Sequence, residues 1–113
     1  IGVYHAKRDK YFTIAKVGTG LTDGEWRRMK KEVDEIKANE KPANFEVNKV
    51  MAVDVWCRPQ IVVKVQADEI TKSPMHTSGY ALRFPRLISW REKRPVDATT
   101  VAEMERIFQS QQK

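Results

Sequence analysis

Five cations fall between positions 83 and 94: Arg83, Arg86, Arg91, Lys93 and Arg94, against the single anion Glu92. Large apolar side chains, Phe84, Ile88 and Trp90, are interleaved with them. Guanidinium forks match the geometry of phosphate oxygens. A segment carrying a net charge of +4 from these residues therefore suits a surface that grips phosphates. A second candidate is Lys16 followed by Gly18-Thr19-Gly20. The glycines let the backbone turn tightly, so the loop N–H groups and Lys16 can meet a phosphate, or the same residues can simply turn a strand into a helix. The loop is no P-loop, because Gly-Lys-Ser/Thr is absent. His5 and His76 are isolated, and no His, Cys or carboxylate set has metal-ligand spacing, so no metal site is expected. Asp68 and Glu69 are adjacent on a strand pattern. Their side chains should point to opposite faces, which favours a structural or positioning role over paired acid–base work.

The elements that must hold these residues follow from periodicity. Tyr80, Leu82 and Phe84 alternate with Ala81 and Arg83, the rhythm of a half-buried strand. By that rhythm Phe84 belongs in the core. Pro85 interrupts the strand, since it has no N–H to donate and belongs at an edge or bulge. Ile88 and Trp90 then resume the alternation. Residues 1–17 read as a hairpin, with Ile1 to Tyr4 and Tyr11 to Val17 as its arms. A helix is expected from Thr22 to about Ala38: Thr22-Asp23-Gly24-Glu25 fits a capping box, and Trp26, Met29, Val33 and Ile36 form one apolar face. Its basic run, Arg27, Arg28, Lys30 and Lys31, reads as a solvated face. Residues 39–44 read as a loop, 50–56 and 60–70 as strands, and 71–77 as a loop. A second capping box, Thr100 to Glu103, opens a short helix with Val101, Met104, Ile107 and Phe108 on one face. Its polar end, Gln109 to Lys113, should fray.

The chain has 113 residues, enough for one core, and is 41% apolar and 32% charged. Its net charge of +6 favours a polyanionic partner. Apolar runs fall far short of the ~18 residues of a membrane span, so no membrane role is expected. The single cysteine, Cys57, excludes an internal disulfide and reads as a buried thiol in a reducing compartment. Many short strands with two helices suit a small β-barrel.

The string Ser78-Gly79-Tyr80-Ala81-Leu82-Arg83-Phe84-Pro85-Arg86 resembles the SGxALRFPR signature of ATP-dependent DNA ligases of the archaeal and eukaryotic type. Further blocks follow in family order: Thr13 through Asp23 resembles TxxKxGTGxxD, then come Val55 to Pro59, Asp68-Glu69-Ile70, Ser73-Pro74, and Arg91-Glu92-Lys93-Arg94-Pro95 ahead of Ala98-Thr99-Thr100. The resemblance covers nearly the whole chain. It implies a mainly β fold, an OB-fold barrel of about five strands with one internal helix and a short C-terminal helix. It also implies that residues 1–113 form one domain of a longer enzyme whose adenylation domain carries the catalytic lysine, absent here.

The resemblance assigns DNA contacts to Lys16, Gly18, Thr19, Arg83, Phe84 and Arg86, with Phe84 reaching into the minor groove beside a nick. It assigns orientation of the ATP phosphates to Arg91 and Lys93. The family pattern there is Arg-x-Asp-Lys. This chain lacks the Asp and is one residue shorter, so either Glu92 covers for the Asp or the cluster has shifted and Arg94 takes the lysine's place. ATP and Mg²⁺ are expected to be bound mainly by the adenylation domain. The implied partners are nicked double-stranded DNA and that domain, in a monomer located in the cytoplasm of a prokaryote or the nucleus of a eukaryote. An OB domain of an RNA ligase or mRNA-capping enzyme, which shares little beyond the last motif, is the first alternative. A free-standing single-strand-binding module, which needs aromatics exposed across its face, is the second.

Overall fold

The hairpin expected at the start of the chain is formed by β1 (Gly2–His5) and β2 (Lys10–Thr13), antiparallel with Val3 opposite Phe12. In a computed structural model, residues 1–111 are described. Val3, Ile14 and Ala15 form the buried centre, and Val17, Tyr80, Leu82, Val101 and Met104 pack around them. This core is small because the strands are short and each buries a single face.

The first helix, α1 (Asp23–Glu35), starts where the capping box places it. The Thr22 hydroxyl accepts from the Glu25 N–H at 3.2 Å, and Glu25 Oε1 accepts from the Thr22 N–H at 3.0 Å. We expect Thr22→Ala to cost about 1 kcal/mol, read as a lower midpoint in urea unfolding with an unchanged slope. The helix stops three residues before Ala38. Lys37 and Ala38 form β3 (Lys37–Ala38), which pairs antiparallel with β5 (Trp56–Cys57). Strand pairing there overrides helix propensity. The basic run is largely solvated and paired within the helix, Arg28 to Glu32 at 2.9 Å and Lys30 to Asp34 at 2.8 Å.

A two-residue strand that the sequence reading missed, β4 (Phe45–Glu46), runs parallel to β2. The expected strand over 50–56 is corrected: only Trp56 belongs to a strand, and Val50, Val53 and Val55 are exposed. Their mixed register gave no face to bury. Cys57 is half-buried rather than buried, and burial pushes its thiol pKa up.

The expected strand over 60–70 is two strands, β6 (Val62–Gln66) and β7 (Glu69–Lys72). Their partners are equally divided: β8 (Tyr80–Arg83) pairs antiparallel with β7, and β9 (Arg86–Arg91) with β6. Together they make one long hairpin, broken in the middle where Ala67 and Asp68 face Phe84 and Pro85. Across the break a single backbone bond survives, Asp68 N–H to Arg83 C=O at 2.9 Å.

The last helix, α2 (Val101–Gln111), is capped as expected by Thr100 and Glu103. It packs on β7 and β1, with the Phe108 ring 5.2 Å from Tyr80. Fraying from Gln109 onward is corrected at Gln111. Its side-chain amide donates to the Ile70 carbonyl and accepts from the Ile70 N–H, each at 2.9 Å, pinning the helix end to β7. Gln112 and Lys113 lie outside the described residues.

The architecture is thus mostly strand with two helices, as expected, within a radius of gyration of 13.8 Å. Among the described residues the pairings form four ladders: β1-β2-β4, β3-β5, β6-β9 and β7-β8. Nine short strands replace the expected five because Pro85, Ala67-Asp68 and the loops around Pro42 and Pro59 interrupt what the pattern reads as longer runs.

Candidate nucleic-acid interface

Phe84 occupies the break in the long hairpin with φ +53°, a left-handed backbone conformation that costs a non-glycine residue roughly 1–2 kcal/mol. The turn reverses the alternation of Tyr80 and Leu82 and sends the ring outward. Phe84 is 64% exposed, so its assignment to the core by periodicity is corrected. Every other Phe, Tyr and Trp among the described residues is buried or half-buried. Pro85 terminates the ladder, but it is not the bulge. The register shift lies further on, where Lys64 and Val65 face Ser89 and Leu87, leaving Ile88 as the extra residue. Consequently Leu87 is buried and Ile88 is 40% exposed, reversing the expected alternation of Ile88 with Trp90.

The arginines beside Phe84 are both held. Arg83 lies over the Phe84 ring at 5.3 Å and pairs with Glu69 at 2.8 Å. Arg86 donates to the Phe84 carbonyl at 3.0 Å and to Asp68 at 3.4 Å. A sequence reading cannot pair them, because the partners sit across a break whose register it does not see.

The Gly18-Thr19-Gly20 loop is packed against the same corner. The Thr19 carbonyl accepts from the Leu87 N–H at 2.9 Å, and the Thr19 hydroxyl donates to the Pro85 carbonyl at 3.3 Å. Further back, the Ile14 carbonyl accepts from the Leu82 N–H at 3.2 Å. Lys16, which is exposed, lies between these two anchors in the chain, and after burial and the N-terminal amine its charge helps to lower the His76 pKa. Gly20 makes the approach possible. Its φ is +108°, and a Cβ there would sit 2.2 Å from the Leu87 carbonyl oxygen and 2.7 Å from the Leu87 nitrogen. Both contacts are backbone, so neither can swing away. Overpacking commonly costs about 1–3 kcal/mol, and we expect Gly20→Ala to reach or exceed the upper end of that range. The check is thermal unfolding of the variant.

The Gly18-Thr19 loop, Arg83, Phe84 and Arg86 therefore share one corner, and Lys16 lies on the exposed stretch that leads into the loop. Arg91 and Lys93 do not join them. Arg91 is the last residue of β9, opposite Val62, four ladder positions beyond Arg86, which faces Gln66, or roughly 13 Å at about 3.3 Å per residue. Arg91 and Lys93 are exposed and have no ion-pair partner among the described residues. Arg94 is tied differently, its guanidinium meeting both Asp97 oxygens at 2.9 and 3.3 Å. This hydrogen bonding holds the Asp97 carboxyl below its ordinary pKa and raises that of Arg94. Trp90 is half-buried with one face covered by Arg28 of α1 at 4.0 Å.

A basic β-rich domain whose one exposed aromatic stands between two arginines has the make-up of modules that meet nucleic acid. Its family is defined by comparison. Residues 1–94 match the family described as ATP dependent DNA ligase C terminal region, and the chain belongs to that family. A probable DNA ligase of Dictyoglomus turgidum is 48% identical over 122 residues, covering 100% of this chain and 21% of the relative. The DNA ligases of Ignicoccus hospitalis and Saccharolobus solfataricus are 39% and 35% identical, covering 97% and 100% of this chain and 20% of each relative. The chain thus spans about a fifth of the length of these relatives. The family is consistent with the expected OB-fold.

Proposed function

We propose that this chain is the DNA-gripping domain of an ATP-dependent DNA ligase, and that Phe84 is its wedge at the nick. The observation that carries this reading is the outward, left-handed Phe84 held between Arg83 and Arg86. An apolar ring in the minor groove partly unstacks a base step and widens the groove. A nick already interrupts stacking, so the cost of inserting the ring is lowest there. Lys16 and the Gly18-Thr19 loop hold the neighbouring phosphates, whose oxygens accept from the lysine and from backbone N–H groups. The parent enzyme would transfer AMP from its own lysine to the 5′-phosphate of the nick and join the strand by attack of the 3′-hydroxyl. This domain closes on the DNA opposite the adenylation domain of the same chain, as a monomer, in the compartment that holds the genome.

Arg91 and Lys93 are the residues suited to ATP. Unpaired and exposed, they can face a triphosphate and offset the charge that develops on the departing pyrophosphate. Mg²⁺ finds no group of three or more His, Cys, Asp or Glu among the described residues, so its ligands are sought in the adenylation domain. A single-strand-binding module needs several exposed stacking platforms. With Phe84 the one exposed aromatic among the described residues, that reading is not favoured.

The test is binding of nicked duplex, intact duplex and single strand, side by side, across a salt series. Phosphate-dominated grip implies a non-specific Kd of roughly 10⁻⁴ to 10⁻⁶ M near physiological salt, weakening linearly on logarithmic axes. Nicked duplex is expected to bind tightest. Preference for single strand, or affinity indifferent to salt, contradicts the proposal.

A further inference from the structure

Asp68 and Glu69 are strong charges at the corner that the proposed reaction leaves unused. They belong to the opposite arm of the broken hairpin, and each meets one arginine beside Phe84: Glu69 with Arg83 at 2.8 Å and Asp68 with Arg86 at 3.4 Å. Asp68, Glu69 and Arg83 are exposed and Arg86 is half-buried, and the four charges sum to zero. Lys16, Arg91 and Lys93 have no such partner among the described residues.

We propose that Asp68 and Glu69 determine specificity by positioning Arg83 over the Phe84 ring and Arg86 beside its backbone, and by cancelling their charge until the ring is seated. The inference rests on the reading of this corner as a DNA interface. Exposed pairs contribute little to folding, so stability does not account for two of them at one functional corner. Their weakness has a second consequence. A phosphate can displace the carboxylate at little cost, so the pairs act as a brake and not a lock. On intact duplex the ring is not inserted, the guanidiniums stay with their carboxylates, and attraction comes from the unpaired cations alone. At a nick the inserted ring holds the phosphates against Arg83 and Arg86, where they outcompete the carboxylates, and the partners exchange. Discrimination therefore follows from the competition between carboxylate and phosphate for the same forked donors.

The experiment compares the intact polypeptide carrying this region with its Asp68→Asn/Glu69→Gln variant, which keeps side-chain size and hydrogen bonding but removes both charges. Affinity for nicked and intact duplexes of one sequence is measured over a salt series, together with thermal unfolding. The variant is expected to bind intact duplex roughly 2- to 30-fold more tightly, the equivalent of two exposed pairs released. Its logarithmic salt slope should steepen by up to about 1.8, for two more phosphates neutralised. The nicked-to-intact affinity ratio should fall. Glu69→Gln alone should give about half the slope change, and none when Arg83 is already Gln. An unchanged slope and ratio, with or without a lower melting temperature, overturns the proposal and leaves the pairs a structural role. Weaker binding to both duplexes overturns it as well. If the unmodified protein shows no DNA affinity, the underlying interface reading fails, an outcome distinct from unequal binding that the variants do not alter.

Discussion

Phe84→Gly is expected to lower kcat/KM for sealing nicked duplex by roughly 10- to 100-fold in the parent ligase, while folding stability stays within about 1 kcal/mol of the original. The two halves of this expectation come from the same geometry. The ring is mostly in water, so deleting it removes little burial. Its backbone sits at φ +53°, which glycine adopts without the steric penalty of a Cβ. The relief of about 1–2 kcal/mol is offset by the greater freedom of glycine in the unfolded chain. Were Phe84 a core residue, as the alternation of its strand suggests, truncation would cost about 3–5 kcal/mol. On the functional side, unstacking a base step costs a few kcal/mol. An enzyme that loses the ring which stabilises the opened step loses a comparable share of its grip on the reacting geometry. Phe84→Ala should impair sealing similarly but keep the backbone strain. Melting temperature and specific activity of the folded fraction, measured on both variants, separate the readings. A large drop in melting temperature with normal specific activity would reverse the assignment.

Arg91→Ala should produce the largest kinetic effect, confined to one step. Arg91 ends β9, exposed and without an ion-pair partner among the described residues, roughly 13 Å along the ladder from the corner proposed to meet DNA. In the proposed reaction the ATP phosphates matter only while the enzyme's lysine is being adenylylated. Losing one donor aimed at a developing charge commonly slows a step by ~10²–10³. Formation of enzyme–AMP from ATP should slow by that order, and sealing of a nick supplied already adenylylated should stay near normal. Equal loss on both substrates would assign Arg91, and Lys93 with it, to DNA binding. No change in either would leave Arg91 a solvent-exposed strand end.

What the sequence made legible was local. Both helix starts were written in capping boxes, and both hold, because a Thr hydroxyl and a Glu carboxylate three residues on need no tertiary partner. The first hairpin was legible in its alternation. The candidate residues were legible in motifs, which name Lys16, Thr19, Arg83, Phe84 and Arg86 without placing them together. What assembles them was not legible. The loop meets the corner because Gly20 has no Cβ to strike Leu87, and two glycines in a turn do not announce which strand they will touch. Ion pairs from Asp68 and Glu69 depend on the register of a hairpin closed over a loop of several residues, and that register changes at Ile88. Phe84 shows the limit of periodicity most plainly. Alternation assumes that the backbone stays extended, and a single residue with positive φ sends the side chain to the other face.

If Phe84 is the wedge, its ring enters DNA at the nick. A nicked duplex with the fluorescent base 2-aminopurine beside the break reports this directly, because its emission rises when stacking is lost. Binding of the intact ligase polypeptide is expected to raise the emission at the nick and not on the unbroken duplex. With Phe84→Gly, at protein concentrations that saturate the DNA, the rise should disappear. The same rise with the glycine variant would contradict the account, because the unstacking would then owe nothing to this ring.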